Sequence, residues 1–335
     1  MSRARPSIVL AHWPGLGLFD DRAIERFNEM GTVLDAEPLG QWDDPRSEEL
    51  LGEAEVIVGH WGCPLVDGPM LDRAPKLGLF AYAAGTVKLT VTDAVWDRPI
   101  RVTSGANANA EPVAEFTLAA ILFANKGVLW RRIGAESVEA SVDELMGRGW
   151  GNYDRTIGIV AASLIGRRVI QLLRAFPHLD VALYDPFVTP DEARELGVTK
   201  LELTELCAAS DILSIHAPAL ATTHHMIGAE QLAALRDGAT VINTARGWVL
   251  DHEALVPHLT SGRLRAVLDV TDPEPLPDDS VLRSLPNVYL TPHLAGTQGS
   301  ELGRMAEYAA EEVRRWSAGE PGLNEVHKEQ LDRLA

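Results

Sequence analysis

Arg246, Glu274 and His293 are the residues of this chain whose types can do chemistry together. An imidazole changes charge in the physiological range and can take or give a proton. A carboxylate bonded to its second nitrogen fixes the tautomer and stabilises the imidazolium, the logic of a hydrolytic triad without the serine. A guanidinium is a fixed cation whose planar fork suits a carboxylate and polarises a neighbouring oxygen. The set points to proton transfer beside an anionic substrate. Each member alone has a bland reading. Glu274 stands among Asp272, Asp278 and Asp279, as in a solvated acidic loop, and Arg246 before Gly247 reads as a surface turn.

Position is what joins them. Residues 240–243 and 266–270 are apolar, β-rich runs, and residues 288–290 lead into Thr291-Pro292-His293. Short buried strands alternating with helices predict an α/β fold with a parallel sheet, whose ligands lie beyond the carboxyl ends of the strands. Arg246, Asp269, Glu274 and His293 then share one rim.

Upstream, residues 156–162 read as a strand and 164–176 as a helix with Ile165, Val169, Leu172 and Leu173 on one side. Where a dinucleotide-binding turn has G-x-G-x-x-G, this chain has Ala161-Ala162-Ser163-Leu164-Ile165-Gly166, so only the third glycine remains. That glycine lets helix and strand pack closely. Ser163 can cap the helix, leaving first-turn N–H groups for a phosphate. Ala161 fits on the expectation that its φ stays negative. Asp185 ends the strand 181–184, where a carboxylate would accept both adenosine ribose hydroxyls and repel a 2′-phosphate, favouring NAD over NADP. Its bland reading is a turn aspartate before Pro186. Residues 212–216 form a further strand running into His216-Ala217-Pro218. Thr189 to Glu192 carry helix-start signals, and Gly197 ends that helix.

The N-terminal part reads as a smaller open α/β unit, with strands at 8–11, 56–58 and 77–82 and a helix at 20–30. Its third strand ends in a turn from Ala83 to Lys88. Residues 105–110 are small and read as a crossover into a helix over 113–126, with Pro112 at its start and apolar residues nearly all round. Gly296 and Gly299 allow a second crossover. A final helix over 300–317, with Leu302, Met305, Ala309, Val313 and Trp316 on one stripe, should return to the first unit. The expected domains are 1–104 with 300–335, and 105–299, with the site in the cleft between them.

A chain of 335 residues is long enough for two such cores. A formal net charge of −18 argues against a nucleic-acid partner. The two cysteines, Cys63 and Cys207, are too few for a disulfide framework or a metal knuckle. No metal site is expected, since no His or Cys pair has ligand spacing near a third ligand. The adjacent His224 and His225 would point apart on a regular element. The first apolar run is too short for a signal-peptide core, and no stretch has the length of a membrane span. A cytoplasmic protein without membrane partners is expected.

The segments INTARG, LDVTDPEPLP and TPHLAG, in this order and at these spacings, resemble the D-isomer-specific 2-hydroxyacid dehydrogenases, and the resemblance runs from about Ala54 to Trp316. It implies a Rossmann-type NAD-binding domain, a smaller discontinuous flavodoxin-like substrate domain, and interconversion of a 2-hydroxy acid with its 2-keto acid. His293 and Glu274 would relay the proton, and Arg246 would bind the substrate carboxylate. The turn Gly85-Thr86-Val87 would present N–H groups to that carboxylate. Lys88 replaces an Asn common in relatives, and a solvated lysine and a ligand clamp are equal readings of it. The resemblance implies that Ser163, Leu164, Ile165, Gly166 and Asp185 hold the cofactor. His216, Ala217, Pro218 and Thr223 would lie along its ribose and adenine side. Thr244, Ala245, Arg246, Asp269, His293 and Gly296 would surround its nicotinamide end. His216, at a strand end just ahead of Pro218, is read as structural rather than as the base. The segment 130–152 would pack against a second subunit in a homodimer.

Phosphoglycerate-oxidising relatives carry Arg in the stretch matching Val58-Gly59-His60-Trp61-Gly62, and none stands here, so a phosphorylated substrate is not expected. His60 and Trp61 suggest a bulkier or aromatic-lined pocket. No regulatory domain follows, so feedback by an amino acid is not expected. Two rivals are an enzyme of this fold acting on formate or phosphite, opposed by Glu274 where formate dehydrogenases carry Gln, and an NAD(H)-sensing corepressor-like binding protein.

Overall fold

The structure is a computed structural model that describes residues 5–15, 17–130 and 150–331. Most of the segment expected to meet a second subunit lies outside the described residues. By internal contacts the chain divides into two units, Met1–Asn109 with Thr297–Ala335, and Ala110–Gly296.

The first unit holds β1 (Ser7–Ala11), β2 (Thr32–Val33), β3 (Val56–Gly59), β4 (Leu79–Tyr82) and β5 (Arg101–Ser104). They pair in parallel in the order β2-β1-β3-β4-β5, the flavodoxin-like winding. β1, β3 and β4 are apolar runs buried almost along their whole length, as a sheet covered on both faces requires. The helix Asp21–Met30 starts at Asp20, whose side chain accepts from Ala23 N. The helix Leu302–Ala318 buries Met305, Ala309 and Val313 in this unit's core, and a Cβ at Gly78 would meet the Trp316 ring at 2.5 Å.

The second unit holds β6 (Arg155–Val160), β7 (Leu179–Tyr184), β8 (Thr199–Lys200), β9 (Ile212–Ile215), β10 (Thr240–Asn243), β11 (Arg265–Leu268) and β12 (Val288–Leu290). All pair in parallel, in the order β12-β11-β10-β9-β6-β7-β8. Numbered within the unit this is the Rossmann order extended by one strand, with the reversal between β6 and β9. The turns after those two strands therefore flank the switch point where such sheets bind ligands.

One element corrects the expectation. The helix expected over 113–126 starts earlier, spans Ala106–Asn125 and contains Pro112 in its interior. Residues 106–110 are thus helical, and the chain passes from the first unit to the second within this helix, between Asn109 and Ala110. Ser104 Oγ accepts from Ala106 N, Gly105 O accepts from Asn109 N, and the Ala-rich start favours helix. Pro112 forfeits one backbone bond, which the turns on either side tolerate. Nor is this helix buried all round, since Phe123 is 51% exposed.

Candidate active site

Arg246, Asp269, Glu274 and His293 all follow the carboxyl ends of β10, β11 and β12, three adjacent parallel strands of the second unit. His293 Nδ1 and Glu274 Oε1 are 2.7 Å apart. Both side chains remain partly open, 47% and 42% exposed, so the pair sits at a surface that a substrate can reach. Because Nδ1 is committed to Glu274, Nε2 is the nitrogen available to exchange a proton with a ligand.

The backbone fixes the direction of that imidazole. His293 has φ +53°, and its N–H donates to the Asp269 carbonyl (2.9 Å). The Asp269 side chain belongs to a residue only 2% exposed and accepts from Thr291 Oγ1 (2.6 Å), Leu294 N (2.8 Å) and Ala295 N (3.0 Å). A buried carboxylate with three donors is a fixed anchor, and here it anchors the turn that carries His293.

Arg246 is largely buried. Burial pushes its guanidinium below the ordinary arginine value, and the negative charge of Glu274 pulls the other way. Its Nη1 donates to the Ala245 carbonyl (2.6 Å). Asn243, which the sequence reading did not single out, braces this turn: its Oδ1 accepts from Ala245 N and its Nδ2 donates to the Arg246 carbonyl, both 3.0 Å. The available signal was an Asn at a strand end, where its side chain closes a turn on its own backbone. Thr244 Oγ1 lies 2.9 Å from Thr117 Oγ1, a buried contact that was also missed.

At the β6 turn, Ser163 caps the helix Leu164–Leu173 by accepting from Gly166 N (3.3 Å). The N–H groups of Leu164 and Ile165 precede Arg167 N, the first to donate to a backbone carbonyl within the helix, and can receive a phosphate. A Cβ on Gly166 would lie 2.1 Å from the Ala161 carbonyl oxygen, so only glycine fits. The expectation of negative φ at Ala161 is corrected: φ is +76°. Alanine keeps the left-handed turn that a first glycine would adopt freely, and bears the steric cost. Asp185, 8% exposed, accepts from Ala162 N (2.8 Å), Phe187 N (2.8 Å) and Val188 N (3.2 Å). A carboxylate offers about four acceptor sites, so Asp185 both ties down the turn and keeps capacity for a hydroxyl. A guanidinium not anticipated from sequence also stands here, with Arg167 Nε donating to the Ala162 carbonyl (3.0 Å). The residues present fit a dinucleotide.

The remaining candidates are more structural. His216 is 3% exposed, its Nε2 lies 2.9 Å from Ser214 Oγ, and burial pushes its pKa down to about 3. A ring held neutral so firmly is no proton acceptor at neutral pH. Ala217 is buried beside it, and Pro218 accepts at its carbonyl from Thr223 Oγ1 (2.5 Å), which closes that turn. Gly296 follows the buried Ala295. In the first unit, Gly85 and Thr86 are half-buried after β4 while Val87 is buried, and Thr86 Oγ1 accepts from Lys88 N (3.3 Å). His60 is fully buried, with Nδ1 accepting from Trp61 N (2.7 Å) and pKa pushed down to about 3 by burial. Its ring packs edge-on against Phe19 and Trp61, so it meets no solvent. The exposed aromatic at that rim is Trp13, 56% exposed, whose ring lies so close over Gly62 that a Cβ there would clash at 2.1 Å. The expectation that His224 and His225 point apart also fails. They lie on no regular element, His225 has φ +49°, and their rings stack.

The profile of the D-isomer specific 2-hydroxyacid dehydrogenase NAD-binding domain matches residues 129–295. A glyoxylate reductase of Korarchaeum cryptofilum is 35% identical over 301 residues, 87% of this chain and 90% of the relative. The chain belongs to the D-isomer-specific 2-hydroxyacid dehydrogenase family. Within this family, the D-3-phosphoglycerate dehydrogenase of Methanocaldococcus jannaschii is 30% identical over 91% of the chain, and the chain spans only 57% of that relative. Among solved structures, the TT0316 protein of Thermus thermophilus superposes with a TM-score of 0.72 at 30% identity, covering 96% of this chain and 100% of the other. Membership makes the second unit a NAD-binding domain of the family. Among the described residues no helix is long and apolar enough to cross a membrane.

Proposed function

We propose that this family member interconverts a non-phosphorylated D-2-hydroxy acid and its 2-keto acid, with NAD as the redox partner. The observation that carries the reading is the 2.7 Å bond between His293 Nδ1 and Glu274 Oε1 at the rim that also bears Arg246. A nicotinamide held in this unit would supply or take up the hydride. In reduction, His293 Nε2 would deliver a proton to the substrate's carbonyl oxygen, and in oxidation it would remove the hydroxyl proton. Glu274 stabilises the imidazolium that carries that proton, and Arg246 binds the substrate carboxylate and polarises the C2 oxygen. Ser163, the first-turn N–H groups and Asp185 hold the pyrophosphate and the adenosine ribose.

Two of the relatives are named for glyoxylate and for 3-phosphoglycerate. The lack of Arg in 58–62 and the exposed Trp13 over Gly62 favour an unphosphorylated acid. The test is steady-state NADH oxidation with glyoxylate, hydroxypyruvate, phenylpyruvate and phosphohydroxypyruvate, each repeated with NADPH. Turnover of one of the first three, faster with NADH, is expected. Absence of turnover with every keto acid would sink the reading, and a preference for NADPH would remove the role given to Asp185.

A further inference from the structure

Two imidazoles and a carboxylate converge on the surface of the second unit, outside the residues assigned to the reaction. His224 and His225 stack with ring centroids 3.9 Å apart and planes 21° from parallel. The left-handed backbone at His225 is what lets neighbours share a side. Such a conformation is disfavoured for a residue with a side chain, and its persistence marks a place where the surroundings enforce it. They do so here: His225 N donates to the Trp248 carbonyl (3.0 Å), the His224 ring packs on the Trp248 indole at 4.0 Å, and Trp248 Nε1 donates to Leu220 O (2.9 Å). One donor atom from each of His224, His225 and Asp272 lies within 4.8 Å of the other two.

We propose that His224, His225 and Asp272 form a binding site for a divalent transition-metal ion of the zinc or nickel class. Imidazole nitrogens select such ions, whereas calcium and magnesium call for all-oxygen shells. Bonds of about 2.0–2.2 Å in a tetrahedron put ligand atoms roughly 3.4 Å apart. All three side chains are exposed, so small rotations can bring their donor atoms to that spacing, leaving the fourth position to water. Asp251 Oδ2 lies 3.8 Å from His225 Nδ1, so a second carboxylate stands near the pair. Asp272 lies just before the Pro273-Glu274 pair, so a bound ion would tether the loop carrying that carboxylate to the histidine pair.

The test is calorimetric titration of the tag-free, full-length protein with Zn²⁺ and with Ni²⁺ near neutral pH. Visible absorption with Co²⁺ reports the coordination geometry independently of any activity. One ion per chain is expected, with at least about tenfold weaker binding in each of His224→Ala, His225→Ala and Asp272→Asn. Circular dichroism of the metal-free variants should match the parent. If His225→Ala does not fold, the other two decide the matter, since neither His224 nor Asp272 has a left-handed backbone to maintain. A parent protein that takes up no zinc at sub-millimolar concentration overturns the proposal. So does equal zinc affinity in the parent and in both His224→Ala and Asp272→Asn.

Discussion

His293 combines a positive φ with a side chain bonded to Glu274 and an N–H bonded to the Asp269 carbonyl. That backbone costs on the order of 1–2 kcal/mol for a residue with a Cβ, and the buried Asp269 cluster holds it in place. Replacing the ring by Asn should lower kcat by roughly 10²–10⁴-fold, the span of general acid–base catalysis, while leaving NADH affinity nearly unchanged. Glu274→Gln keeps a hydrogen bond but loses the charge that stabilises the imidazolium, so a smaller fall in kcat is expected. Stopped-flow NADH oxidation alongside NADH fluorescence titration checks both, and undiminished turnover in His293→Asn would remove this residue from the chemistry. Arg246→Lys gives up the planar fork and should lower kcat/KM by roughly 10–150-fold, the worth of a charged hydrogen bond. These three residues were legible in sequence because strand ends bring them to one rim. Asn243 and Thr117 were not, because their work is done through bonds to backbone or to a residue far away in the chain.

At the level of elements, strands β6, β9, β10 and β11 were readable as apolar runs, since a sheet covered on both faces needs them. The two-residue edge strands β2 and β8 carry no such run. The early start of the helix Ala106–Asn125 was hidden by Pro112, whose local veto is outweighed by capping at Ser104 and Gly105. The β6 turn shows the same limit. Composition suggested a weakened phosphate loop, whereas the structure keeps the loop's shape and loads the cost on Ala161. Ala161→Gly should therefore raise stability by about 0.5–1 kcal/mol, the steric relief less the added chain entropy. Urea midpoints measure it, and a fall in midpoint would mean that the left-handed turn carries no strain. Gly166→Ala should do the opposite and abolish NADH binding, since its Cβ would meet the Ala161 carbonyl.

For the whole molecule, acid is the revealing variable. His60 in the first unit and His216 in the second are both pushed down to about 3 by burial. An unfolded imidazole titrates near 6.5. Between those values the unfolded chain binds protons that the folded one refuses, so stability falls as pH drops through that window. Each ring can contribute up to about 1.4 kcal/mol per pH unit. Urea unfolding across the window should show this slope, and His216→Gln should flatten it for the NAD-binding unit alone. An unchanged slope would show that carboxylates, not this ring, govern acid sensitivity. The excess of acidic residues, which the sequence displays openly, does not reveal these two rings, because their burial is set by the folded cores.

One hydrogen bond outside the chemistry has an architectural meaning. Thr297 N donates to Asn109 Oδ1 at 3.0 Å, and these are the residues at which the smaller unit's chain stops and resumes. Its seam is already shut, so joining the two lips with a few glycines should yield a five-stranded miniature that melts cooperatively on its own. The dinucleotide-binding portion then has the standing of a very long guest loop, inserted between two neighbouring points of its host.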